Sequence, residues 1–279
     1  MPVRLAIGFL CAGGSRIIPA PVLEDRPSPA AARDVPVAAR DGSSIARVIA
    51  RGAARPMRLG SRAGARLTCR ARRLLLIART KMRARLVYAR VEMAVAPDVE
   101  LGRRLRVEID PGTRNRLSIG RASMIRDDVL LWLRGGSIEI GNETEIRRLC
   151  SLNSSGQLSV GSSVIVSFGV SVGCADRLTI EDLAAIGEYS SLTDSAHPRS
   201  TGDDRLVDRV ESAPTRVGRS AWIGAQSVIT SGVDIGDYSI VGAGSVVTRD
   251  VPSWRLAAGV PARTIRKLTS ADKTDPSRR

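Results

Sequence analysis

From Val217 the chain divides into six consecutive hexapeptides, VGRSAW, IGAQSV, ITSGVD, IGDYSI, VGAGSV and VTRDVP. Each opens with a β-branched aliphatic residue: Val217, Ile223, Ile229, Ile235, Val241 and Val247. The second position is Gly in four of the six. The fifth is small or β-branched throughout: Ala221, Ser227, Val233, Ser239, Ser245 and Val251. The rhythm also runs upstream, in sets of three. Ile140, Ile146 and Leu152 form one set, Val160, Val166 and Val172 the next, then Ile180, Ile186 and Leu192. Between these sets the gap is eight residues instead of six, so each begins 20 residues after the last. An earlier set starts at Ile119 and Ile125, and a fainter one at Val95, Leu101 and Val107.

A period of six is neither the 3.6 of a helix nor the 2 of a hairpin strand. It is the length of one side of a three-sided parallel β-coil, with a short strand led by the aliphatic residue and a tight corner at the small one. Stacked coils hydrogen-bond to each other and bury a continuous aliphatic column, so such a solenoid needs capped ends. Aromatic residues make up only 3% of the chain, which suits an interior of Val, Ile and Leu. The expected fold is all-β, with about seven coils between Val95 and Pro252, and about 33 Å tall at the usual interstrand spacing.

Hexapeptides opening with an aliphatic residue and Gly resemble those of the left-handed parallel β-helix acyltransferases. The resemblance covers about 95–267 and is strongest over 186–267. There WIGAQSVITSGVDIGDYSIVGAGSVVTRDVPSWRLAAGVPARTIRK is similar to the C-terminal coils of the galactoside, maltose and xenobiotic O-acetyltransferases, and to relatives that acetylate bacterial polysaccharides. The resemblance, not the spacing, implies left-handed coils. It also implies a homotrimer, acetyl-CoA as acyl donor, and a hydroxyl of a sugar or glycan as acceptor. An N-acetyltransferase of an amino-sugar nucleotide or other small amine would use the same fold, and a non-catalytic β-helix scaffold is a further alternative.

The sixes stop after Leu192 and resume at Val217. The loop between them, 193–216, is polar and holds His197, the sole histidine of 279 residues. A long loop thrown out of a regular coil is usually functional. A lone loop histidine is otherwise a solvated side chain, but His197-Pro198 after a short polar run resembles the family's catalytic loop. The resemblance implies His197 as general base. Imidazole titrates close to neutral pH and suits removal of a proton from a hydroxyl attacking a thioester. Asp194 is the nearest candidate to orient the ring, with a local turn role equally open; Glu188 and Asp203 are weaker candidates.

The resemblance also places the donor. Ala225 and Ala243 match small residues against which the pantetheine arm lies, although tight corners call for small residues anyway. Thr248 and Arg249 match a Thr-Lys pair that meets the cofactor, with Arg here in place of Lys. Arg263 and Arg266 match two basic residues near the adenosine phosphates, a fit for guanidinium forks, with solvated surface charge as the alternative. Trp222 is expected to shape the groove floor. After Pro252 the repeat ends, and 253–267 reads as a short C-terminal cap helix from about Ala262. The tail 268–279 reads as disordered.

Charge is concentrated at the other end. Residues 1–94 carry 19 basic and 5 acidic side chains, net +14, whereas 95–279 carry 24 and 23. The repeats therefore offer no basic stripe for nucleic acid. Residues 1–60 read as a low-complexity, basic, disordered segment. With 40 Arg against 3 Lys the gene is GC-rich, and an upstream start codon could account for 1–45. Residues 61–94 read as an amphipathic basic helix, with Ala71, Leu75, Ala78, Met82, Leu86 and Ala89 recurring three or four apart. Two roles compete for 64–94: a cap on the open first coil, or peripheral contact with an anionic membrane face.

Cys11, Cys69, Cys150 and Cys174 have no CxxC spacing, so neither a zinc site nor a disulfide framework is expected. One histidine also excludes a zinc enzyme of the β-helical carbonic anhydrase type. The start MPVRLAIGFLCAGG reads poorly as a secretion signal. No apolar run approaches the ~18–20 residues of a membrane span, and a cytoplasmic protein is expected.

Overall fold

The computed structural model describes residues 62–197 and 210–269. The readings made for 1–60, for the loop tip with Asp203, and for 270–279 of the tail lie outside them; the tail expected from 268 is corrected at Leu268, which is buried and donates its N–H to the Trp254 carbonyl at 2.8 Å. Helix α1 (Arg62–Leu86) leads into a stack of short parallel strands arranged as three ladders.

The first face of the prism runs from Arg90–Val95 and Arg114–Ile119 to Asp234–Ile235, seven strands in sequence order. The second runs from Glu100–Leu101 to Ile240–Val241 and on to a final hairpin. The third runs from Arg106–Ile109 to Val246–Val247. Each strand pairs in parallel with its equivalent one coil further on, for example Val160↔Ile180 and Ile180↔Val217. These are the roughly seven coils expected, with a hexapeptide on every side from Val217 and a longer third side in the 20-residue coils upstream, as in a left-handed parallel β-helix.

The lead residues form the core. Val217, Ile223, Ile229, Ile235 and Val241 are fully buried, as are Ile146, Leu152, Val166, Val172 and Ile180. At about 1.5–3 kcal/mol for each buried aliphatic side chain, this column dominates the favourable side of folding. The small fifth residues Ser227, Ser239 and Ser245 are also buried, and their hydroxyls donate to corner carbonyls, Ser227 to Gly242 at 3.2 Å and Ser245 to Gly242 at 2.6 Å. Val233 and Val251 fill the same corner position elsewhere in the stack and are also buried, so the site takes a small or β-branched side chain, and the rhythm is kept at two positions per hexapeptide. The corners from first to second face turn through a residue in the left-handed region, such as Ala122, Glu143 and Ser163 at φ 54–55°.

Three further expectations need correction, two of them at the N-terminal end. The first coil begins at Arg90, five residues before Val95, because α1 ends at Leu86. Residues 90–95 pair with 114–119 over six rungs. The face of α1 that covers the first coil is also not the expected stripe. Leu76 and Ile77 pack against the core, with Thr80 and Ala84 buried. Arg73 donates to the Val95 carbonyl at 2.9 Å. Leu75, Met82 and Leu86 are 48%, 61% and 73% exposed, on the side turned away.

The C-terminal helix is the other correction. Arg255–Gly259 stacks in parallel on Ile240–Val241, and Ala262–Lys267 folds back on it antiparallel. The turn is Gly259-Val260-Pro261, with Gly259 at φ 106° and a cis Val260–Pro261 bond. Alanine-rich composition is a weak helix preference. An unpaired sheet edge above Ile240 and Val241 is a stronger demand, and the hairpin meets it.

Candidate functional site

The loop that breaks the repeat leaves and re-enters at the corner between the third and first faces. Its neck is tied to the coils on both sides. Ser195–Ala196 pairs antiparallel with Glu211–Ser212. The Thr215 hydroxyl donates to the Thr193 carbonyl at 3.1 Å, and the Ser231 hydroxyl donates to the Asp194 carbonyl at 2.7 Å. The Ala213 N–H donates to the same carbonyl at 2.8 Å. His197 follows this two-stranded neck directly and is exposed. Among the described residues no side chain engages its ring, and its stem is braced.

Asp194 is fully buried and faces the other way. Its carboxylate accepts the Ala175 N–H at 2.7 Å and the Asp176 N–H at 2.9 Å. Those amides form the same corner one coil below. These contacts tie the carboxylate to a corner of another coil, and among the described residues no hydrogen bond joins it to His197. Nothing in the sequence singled out Thr193, Ala213, Thr215 or Ser231 as neck residues, since their partners come from other coils.

Thr248 and Arg249 are exposed at the same corner. They stand two coils above the loop neck, about 10 Å along the prism at the interstrand spacing. Ala225 and Ala243 lie at a different corner, between the second and third faces. They stack one over the other: the Gly244 N–H donates to the Ala225 carbonyl at 2.8 Å. Gly224 makes this stack possible, because a Cβ there would fall 2.4 Å from the Ala243 nitrogen. Half-buried Ala225 and exposed Ala243 therefore form a smooth strip of backbone with no bulky side chain rising from it. Trp222 is 37% exposed on the adjoining second face. Arg263 and Arg266 sit on the return strand of the hairpin that extends that face, not on a helix.

Glu188 is on the alanine side as well. It accepts from the Ser167 hydroxyl at 2.9 Å. Its own backbone N–H and that hydroxyl hold its carboxyl below the usual range. Its hydrogen bonds place it with the second-to-third corner, not with His197.

Within one chain, then, the imidazole, Thr248 and Arg249 line one edge of the prism. Ala225 and Ala243 line the next, with Trp222 and the two hairpin arginines on the face beyond. A whole face separates the two edges, up to about 20 Å for six residues at strand rise. Among the described residues no cluster of His, Cys, Asp and Glu could hold a metal ion.

Residues 214–249 match the family model of the bacterial transferase hexapeptide (six repeats). The galactoside O-acetyltransferase of Escherichia coli (strain K12) is 36% identical over 116 residues, 42% of this chain and 57% of that protein. A candidate acetyltransferase of Saccharomyces cerevisiae is 39% identical over 89 residues, 32% of this chain and 43% of that one. The chain thus spans about half the length of these curated relatives. Among solved structures, a mutant of AntD, an N-acyltransferase from Bacillus cereus, in complex with dTDP-4-amino-4,6-dideoxyglucose and coenzyme A, aligns with a TM-score of 0.41. Its identity is 20%, over 66% of this chain and 84% of that one.

Proposed function

We propose that this chain, which carries bacterial transferase hexapeptide repeats over 214–249, is an acetyl-CoA-dependent O-acetyltransferase acting on a hydroxyl of a sugar or glycan. The observation that carries the reading is the single imidazole of the sequence, exposed on a braced stem at one edge of the repeat column. The likeness to a galactoside O-acetyltransferase supports the choice of acceptor class.

In this reading His197 removes the hydroxyl proton as the acceptor oxygen adds to the thioester carbonyl. Collapse of the tetrahedral adduct breaks the carbon–sulfur bond. The coenzyme A thiolate leaves and takes up the proton from the imidazolium. Backbone N–H groups near the reacting carbonyl would stabilise the oxyanion. The pantetheine arm would lie on the Ala225–Ala243 strip, with Trp222 at the groove floor. Thr248 and Arg249 would meet the cofactor, and Arg263 and Arg266 would attract its phosphates.

The separation of the two edges supports a homotrimer. Neighbouring copies set side by side would bring the imidazole edge of one against the alanine edge of the next, and each groove would then hold a complete site.

The test is release of coenzyme A thiol from acetyl-CoA over a panel of sugars, amino sugars and sugar nucleotides, with His197→Ala beside the native chain. The variant is expected to lose transfer by about 10²–10⁴-fold and to melt at the native temperature, since the side chain is exposed. Undiminished transfer by the variant would remove His197 as base. Transfer only to amines would replace the O-acetyl reading with N-acetylation, and no turnover of any acceptor would leave a scaffold.

A further inference from the structure

Helix α1 has two apolar faces, and the first coil uses one. The other carries Ala71, Leu75, Ala78, Met82 and Leu86, all exposed. At 100° per residue these five fall within a stripe about 80° wide, opposite buried Thr80 and Ala84. On one flank stand Arg70, Lys81 and Arg85; on the other, Arg72, Arg79 and Arg83. The 25-residue helix holds nine basic residues and no acidic one.

Beside the stripe, between α1 and the first coil, is a cleft of about 420 Å³. Arg72, Arg79, Arg83, Arg103 and Arg106 line it, over a floor that includes Leu75 and Leu105, and no carboxylate takes part. Arg72 donates to the Leu101 carbonyl at 3.3 Å. Among the described residues none of the five is in an ion pair. Of the nearby carboxylates, Glu100 is held by Arg126 at 3.6 Å and Asp98 by Arg121 at 3.8 Å, Asp127 accepts the Arg103 backbone N–H at 2.7 Å, and Glu108 lies two residues along the strand from Arg106. Five guanidinium groups gathered over apolar floor residues match the chemistry of a phosphate headgroup with its acyl chain.

We propose that the outward face of α1 and this cleft seat the protein on an anionic lipid surface, with headgroup phosphates among the five arginines and Leu75, Met82 and Leu86 in the acyl boundary. A second copy of the helix is the wrong occupant, because it would set unpaired guanidinium groups against their like. Residues 1–61 suit no better, with nine basic and four acidic side chains. Nucleic acid would satisfy the arginines but leave the apolar stripe in water. Among the described residues no helix is long and apolar enough to cross a membrane, so the attachment is peripheral, of the kind an amphipathic basic helix provides.

The test is flotation of the full chain with vesicles of phosphatidylcholine alone or mixed with phosphatidylglycerol. The native chain is expected to float only with the mixed vesicles. Leu75→Gln/Met82→Gln/Leu86→Gln removes no charge, and of the three only Leu75 reaches the cleft floor. The variant should keep the native melting temperature and lose at least about tenfold in partitioning. Arg79→Gln/Arg83→Gln/Arg103→Gln should do the same, and the single change Leu86→Gln gives a milder loss should the triple variant unfold. Failure of the native chain to float with mixed vesicles would overturn the proposal. So would equal flotation of the glutamine variants, which would assign attachment to charge in residues 1–61. Displacement from vesicles by a short single-stranded RNA that binds the apolar variant equally well would reassign the surface to nucleic acid.

Discussion

The buried carboxylate of Asp194 accepts the backbone N–H of Ala175 at 2.7 Å, closing a corner one coil below its own. Its second oxygen takes the Asp176 N–H at 2.9 Å. A carboxylate offers acceptors to both amides, whereas a carboxamide keeps one acceptor and turns an N–H toward the other. Asp194→Asn should therefore cost about 1–3 kcal/mol, the usual penalty for an unsatisfied buried polar group. In a domain of this size that lowers the melting temperature by about 2–10 °C, read by circular dichroism. An unchanged melt with lost thiol release would instead tie Asp194 to His197.

Glycine at the same corner is a matter of space. A Cβ on Gly156 would stand 2.1 Å from the Asp176 carbonyl oxygen, a backbone atom of the next coil with no room to retreat. A Cβ on Gly173 would meet nothing closer than 3.7 Å, the Thr193 hydroxyl. Gly156→Ala should force the coils apart and cost about 1–3 kcal/mol or more, as overpacking does. Gly173→Ala should stay within about 0.5 kcal/mol. Chemical denaturation of the two variants compares them directly, and equal midpoints would contradict the stacking geometry.

The repeat column was legible because burial in a solenoid is one-dimensional. Val217 to Val247 fill one position per side, so the hydrophobic pattern and the fold share a period. The α1 face was not legible for the opposite reason. Leu74, Leu75, Leu76 and Ile77 are four apolar residues in a row, and such a run supplies both faces of a helix. Only the first coil decides that Leu76 and Ile77 turn inward. The hairpin at 255–267 was hidden likewise, since its cause is the unpaired edge at Ile240 and Val241 and not its own composition. Of the site, the lone imidazole and its broken rhythm could be read directly. The role of Asp194 could not, because both of its partners lie about 20 residues away.

Cys150 and Cys174 are 1% and 3% exposed. Burial raises the Cys150 thiol to about 11; burial, and next the nearby charge of Asp194, raise that of Cys174 to about 12. The thiolate is the reactive form, so both should resist iodoacetamide at mildly alkaline pH in the folded protein and react fully in denaturant. Peptide mass mapping reads each cysteine separately. Rapid native labelling at either position would show that the coils open at the second or third face.

Asp128 turns the exposed corner of the second coil at φ 62° and is held there by two arginines. Arg104 meets it through two nitrogens, Nη2 at 2.6 Å, and Arg148 approaches to 3.3 Å. The hydrogen bonds from Arg104, ahead of that from Arg148, lower its carboxyl from 3.8 to about 2. A carboxyl depressed in the folded state stabilises fully above its unfolded value, near ~3.9. That contribution is lost as pH falls from about 4 through about 2. The site is at the surface, so the effect should be small and should shrink in salt. A carboxyl carbon NMR titration should put the Asp128 midpoint near 2, and Arg104→Gln should move it upward toward the ordinary aspartate range. A native midpoint already at that range would mean that the fork between Arg104 and Asp128 does not persist in solution.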